Sequence, residues 1–248
     1  MARENRDFPL VFASKRGYFC VRNPLHETRE NSVITRDYFM RMIHQLAHLI
    51  AKVLKLNDLK LYEEASEEIQ LSSKQLLGMD LRMLTSLSDT EFIRLLSLGE
   101  RFDVEKCVVA AELLRLLGDV GERQADEDRK YHCYTTSLSL FLELLFRESE
   151  TLPKEYFDEI DVLVKKLSSY EVPSDLLKKL FRFYGIVHRY DSAENALFDL
   201  VQRDPGFSTE GVKFYERLKT RSDEELKQGN LPRNEVVAGL EELLRKTR

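Results

Sequence analysis

From about residue 36 onward, the apolar positions of this 248-residue chain recur every three or four residues. In DYFMRMIHQLAHLIAKVLKL, the residues Phe39, Met42, Ile43, Leu46, Leu49, Ile50 and Val53 form one stripe, the mark of a helix with a single buried face. Thr35 is the expected N-cap. A second helix, LKLYEEASEEIQLSSKQLLG, should end where Gly78 can take the left-handed position. Ser88 and Glu91 spell a capping box ahead of TEFIRLLSLG, and Asp103 can cap VEKCVVAAELLRLLG, which Gly118 would close. The turn GDVGERQAD then leads into a long helix through YHCYTTSLSLFLELLFRE.

Pro153 and Pro173 stand where a first turn tolerates proline, ahead of KEYFDEIDVLVKKLSSY and SDLLKKLFRFYGIVHRY. Further helices are predicted in ENALFDLVQRD and GVKFYERLKT, and at a second capping box formed by Ser222 and Glu225. The last one, NEVVAGLEELLRK, starts at Asn230 and Pro232. At average helix length this makes roughly eight to ten helices with short connections. The expected fold is all-α, built from antiparallel helix pairs stacked in sequence.

Such pairs invite a search for a period of about 34 residues, that of tetratricopeptide repeats. Two segments resemble parts of one: LYEEASEEIQLSSKQLLGMD, with Ala65, Ile69 and Ser72 at packing positions, and LLGDVGERQADEDRKYHCYTTSLSLFLELL, with Tyr134, Ser137 and Leu138. Neither carries the full consensus, so a divergent tetratricopeptide-like fold is expected rather than a regular array. From about Arg36 to Gly239, the runs DYFMRMIHQLAHLIAKVL, LYEEA…LLGMD and ENALFDL…FYERLKTRSDEELKQGNLPRNEVVAGLEEL resemble an uncharacterised family of tetratricopeptide-like helical proteins from Gram-positive bacteria. GNLPRNEV is the most specific stretch. The resemblance implies the fold and a bacterial cytoplasmic origin, and it supplies no catalytic residues.

Residues 1–32 read differently, with short apolar pieces mixed with charge and no sustained period. Val33 could be encoded by an alternative bacterial start codon. Residues 1–32 are therefore expected to be a misassigned extension or a loosely ordered N-terminal arm, with residues 33–248 forming a single all-α domain.

Composition agrees with helices: 43% of residues are hydrophobic and 33% charged, with only ten Gly and six Pro. A net charge of -5 argues against nucleic acid and anionic membranes as partners. Cys20, Cys107 and Cys133 are odd in number and far apart, which indicates no disulfide framework and a reducing, cytoplasmic home. No apolar leader or membrane-spanning run is evident.

HQLAH, from His44 to His48, is one letter from the zinc-protease motif H-E-x-x-H. Gln45 cannot act as the base, no third ligand follows, and Arg41, Lys52 and Lys55 share the histidine face, so no metal is expected there. Asp126, Glu127 and Asp128 lie close to His132, but acids are favoured in a first helical turn without any function. Phosphate-loop, dinucleotide and esterase-elbow motifs do not occur. In KKLFRFYGIVHRY the rings turn toward the core, while Lys178, Arg182 and Arg189 fall within about 40 degrees of one another on a helical wheel, with Gly185 between them. The expectation is a non-catalytic scaffold that binds a protein or peptide without a cofactor. The cationic stripe is its candidate site and favours an acidic partner. The rival expectation is an enzyme with a metal or acid/base site near His44 and His48, or near Asp128 and His132.

Overall fold

The computed structural model describes residues 10–14, 17–21, 31–98, 102–147 and 155–246. Among them are twelve α-helices, a 3₁₀ turn and a two-stranded hairpin, so the fold is all-α apart from that hairpin. The chain divides into two compact units, residues 1–170 and 171–248. No described helix is long and apolar enough to cross a membrane.

The N-terminal unit opens with β1 (Leu10–Ser14) and β2 (Gly17–Val21), antiparallel in the register Leu10 to Val21 and Ser14 to Gly17. Five-residue strands are too short for a period to declare itself in the sequence. The remainder of residues 1–32, up to Asn31, lies outside the described residues. Helix α1 (Asn31–Asp58) begins ahead of Thr35, which is helical rather than a cap, because nothing between Asn31 and Thr35 interrupts the pattern. The expected stripe is buried from Met42 onward, with Met42, Ile43, Leu46, Leu49, Ile50 and Val53 all in the core, while the side chain of Phe39 lies outside the described residues. Helix α2 (Tyr62–Leu77) packs on α1, buries Ala65 and Ile69, and ends at Gly78, whose φ is 71°. Ser73, not Ser72, takes the next buried position, where its hydroxyl donates to the Met79 carbonyl at 2.8 Å.

A short helix missed in the sequence, α3 (Leu81–Ser86), is capped by Asp80, whose carboxylate accepts from the Met83 amide. Helix α4 (Asp89–Leu96) has the capping box formed by Ser88 and Glu91. Helices α5 (Val104–Gln124) and α6 (Glu127–Arg147) form the central pair, and α7 (Glu155–Lys166) packs on α6. Gly118 does not close α5, which runs on to Ala125 in the left-handed region at φ 56°. A mid-helix glycine costs about 1 kcal/mol relative to alanine. Burial of Leu116, Leu117 and Val120 around it outweighs that cost, and its bare backbone admits the ring of Tyr134. Tyr134, Ser137 and Leu138, which the repeat-like segment placed at packing positions, are fully buried.

The C-terminal unit comprises α8 (Ser174–Ile186), α9 (Tyr190–Arg203), the 3₁₀ turn Pro205–Phe207, α10 (Ser208–Lys219), α11 (Asp223–Gln228) and α12 (Arg233–Lys246). Leu177, Phe181, Leu197, Phe214, Tyr215, Val236 and Leu243 belong to one core. The run KKLFRFYGIVHRY is not a single helix. It breaks after Ile186, where His188 takes a φ of 58° and the Arg189 amide turns back to the Tyr184 carbonyl at 2.9 Å. Arg189 then sits at the N-cap of α9, so it no longer continues the wheel that carries Lys178 and Arg182.

Candidate functional site

His44 and His48 are exposed on α1 beside Lys52 and Lys55, and Lys52 is paired with Glu68 at 2.6 Å. Asp126 accepts from the Arg129 amide at 3.0 Å, and Glu127 pairs with Lys130 and with the Tyr170 hydroxyl, while Asp128 is exposed. These acids serve the start of α6. Among the described residues, no group of three or more His, Cys, Asp or Glu is placed to hold a metal ion. Cys107 and Cys133 are buried free thiols, and burial pushes the Cys133 thiol up to about 12.

A buried charge cluster in the N-terminal unit had no sequence signature. On α5, Arg115 reaches Glu112 at 2.8 Å and Asp119 at 3.1 Å, and it reaches Glu159 of α7 at 3.5 Å. Lys166, also on α7, lies 3.0 Å from Asp119, pairs with Glu122, and donates to the Tyr134 hydroxyl at 2.8 Å. That hydroxyl in turn donates to Asp119 at 2.8 Å. Burial works against the charge on Asp119, but Arg115 and Lys166 outweigh it and hold the carboxyl below its usual range. Glu159 goes the other way: desolvation outweighs the pull of Arg115, and repulsion from Glu112 and Asp119 adds to it, raising the group to about 7. The Tyr134 ring is fully buried, and the cluster links α5, α6 and α7.

This imbalance fixes a pH dependence. Between 4.5 and about 7 the folded chain keeps a proton on Glu159 that the unfolded chain has released, so stability falls as pH rises through that window and levels off above it. At about 1.4 kcal/mol per pKa unit the loss is on the order of 3–4 kcal/mol. The lowered Asp119 acts oppositely, and its contribution is lost as pH drops below the ordinary carboxylate value. Glu159→Gln should flatten the slope of the urea midpoint between pH 5 and 8, whereas an unchanged slope would assign the dependence elsewhere.

The C-terminal unit carries a groove of about 590 Å³. One wall is a face of α8, with Lys178, Phe181, Arg182, Gly185 and Ile186 at three- and four-residue spacing. The other is a face of α10 and the turn after it, with Glu210, Phe214, Arg217, Leu218 and Arg221. Phe207 and Tyr190 complete the lining. Phe181 meets Phe207 at 5.7 Å and Phe214 at 5.3 Å between ring centroids, both edge-on, giving an aromatic floor. Ile186 remains 43% exposed, and a Cβ placed on Gly185 would meet no atom within 4 Å. Of the stripe read from the sequence, Lys178, Arg182 and Gly185 line the groove, and Arg189 does not. Arg217 and Arg221 were not foreseen. They come from α10 and the turn after it, some 35 residues further on, and on their own they look like an ordinary solvated face.

No curated protein and no solved structure matches the chain at a significant level. A family model described as a family of unknown function (DUF6483) matches residues 33–248, which takes in every described helix from α2 onward and nearly all of α1. With most of its length matched, the chain belongs to this family of unknown function.

Proposed function

We propose that the protein acts by binding, without chemistry of its own, and that the groove of the C-terminal unit holds a segment of another protein. The observation that carries this reading is an apolar aromatic floor, open at Gly185, lying between cationic walls formed by α8 and by α10 with the turn after it. Clefts of a few hundred Å³ with an apolar lining and a few polar groups on the rim are the usual form of a binding site. The residues of the rival enzyme reading stand on separate elements, with His44 and His48 on α1 and Asp128 and His132 on α6. Packing of consecutive helices, α1 with α2, α5 with α6 and α8 with α9, also supports kinship with divergent tetratricopeptide-like scaffolds.

A photoreactive benzoylphenylalanine at Ile186, with a control at exposed Leu71, tests the reading in lysate of the producing cells. Defined protein adducts are expected at position 186, absent at position 71 and suppressed by Gly185→Trp. Equal adducts at both positions, or none at either, would overturn the proposal.

A further inference from the structure

We infer that the occupant of this groove is an acidic peptide segment that carries an aromatic or aliphatic side chain between its carboxylates. The inference rests on the binding role proposed above.

Four cations line the groove, Lys178 and Arg182 on one wall and Arg217 and Arg221 on the other, against the single carboxylate of Glu210. Glu210 is itself held by Lys213 at 2.7 Å, and it stands seven residues from Arg217, about 10 Å along the helix at 1.5 Å per residue. Lys178 and Arg182 are four residues apart on α8, one helical turn or about 6 Å, while Arg217 closes α10 and Arg221 stands in the turn after it. That spacing suits carboxylates one turn apart on a helical segment, or two residues apart on an extended one. The chain's own acids already show what these cations accept. Asp175 holds Lys178 at 3.2 Å and Glu225 holds Arg221 at 3.2 Å. Exposed pairs of this kind contribute little, so a ligand carboxylate can replace them at small cost.

Two further features point to the same occupant. Gly185 leaves open space in a lining that it shares with Ile186, Phe181, Phe207 and Phe214, an apolar surface against which an apolar side chain of the ligand would lose contact with water. Tyr190, in the lining, is 3% exposed, and its buried hydroxyl has no hydrogen-bond partner among the described residues; burial pushes it up, and the charges of Arg221 and Glu225 act on it with opposite sign. An unsatisfied buried hydroxyl is costly.

The test is selection of a random dodecapeptide pool displayed on phage, panned on the full chain and on two variants, Gly185→Trp and Arg182→Gln/Arg217→Gln. The expected peptides carry Asp or Glu on both sides of an aromatic or aliphatic residue and fail to bind Gly185→Trp. The best of them, made synthetically, should lose at least about tenfold in affinity for the double variant, and its affinity should fall as salt rises. Peptides without acidic bias that still fail on Gly185→Trp would overturn the inference about charge while leaving the groove as a binding site. No enrichment, or equal binding to Gly185→Trp, would overturn the groove reading and this inference together.

Discussion

Replacing Arg115 by methionine should destabilise the protein by roughly 3–5 kcal/mol near pH 8, the usual cost of removing one partner from a buried ion pair. The guanidinium is 12% exposed and lies within 3.5 Å of carboxylate oxygens of Glu112, Asp119 and Glu159. Without it, three carboxylates face one another in a desolvated site, with only Lys166 at the Asp119 side to offset them. Such a change is a large share of the ~5–15 kcal/mol stability of a typical domain. The loss should shrink at pH 5, where orphaned carboxylates of raised pKa take up protons in the folded chain. Urea unfolding of wild type and Arg115→Met at pH 5 and pH 8 measures both effects. A variant within 1 kcal/mol of wild type at pH 8 would show that the cluster contributes little to stability.

A single added methyl group should act with opposite sign at two glycines. At Gly118 a Cβ would fall 2.3 and 2.4 Å from carbons of the Tyr134 ring. That ring is fully buried and its hydroxyl is tied to Asp119 and Lys166, so it has little freedom to retreat. Overpacking costs about 1–3 kcal/mol, and a displaced hydroxyl would add the loss of its hydrogen bonds. Together these exceed the gain of up to about 1 kcal/mol in helix propensity. Gly118→Ala should therefore lose about 2 kcal/mol net. Gly185→Ala meets nothing within 4 Å, so only the propensity gain remains and stability should rise by up to about 1 kcal/mol. Thermal denaturation of both variants decides the matter. Equal shifts would mean that the close approach of Gly118 to Tyr134 does not control packing.

The contrast between these glycines shows where reading the sequence stops. Gly78 and Gly118 both follow an apolar run, and both look like helix ends. One is an end, at φ 71°, while the other lies inside α5 because a tyrosine from α6 occupies the space above it. Local chemistry decides the first case. In the second it is overridden by a contact with a residue sixteen positions away. The same logic explains Arg189, which shares a wheel position with Lys178 and Arg182 only if the helix continues; the break at His188 moves it off that face.

What the sequence determined by itself is the helical class, most helix locations, the buried stripe of α1, and the capping boxes at Ser88 and Ser222. Each depends on residues within a turn or two, where periodicity and capping hydrogen bonds act without help from the rest of the chain. Lys178, Arg182 and Gly185 were legible for the same reason, since they share one turn-by-turn face of a single helix. Tertiary structure alone decided what they face. Packing in the C-terminal unit set Arg217 and Arg221 opposite them over an aromatic floor, and in the N-terminal unit it gathered Arg115, Asp119, Tyr134, Glu159 and Lys166 from three helices. Charges scattered along the chain look like solvated surface, and only the burial of the helices that carry them gives their pairing energetic weight.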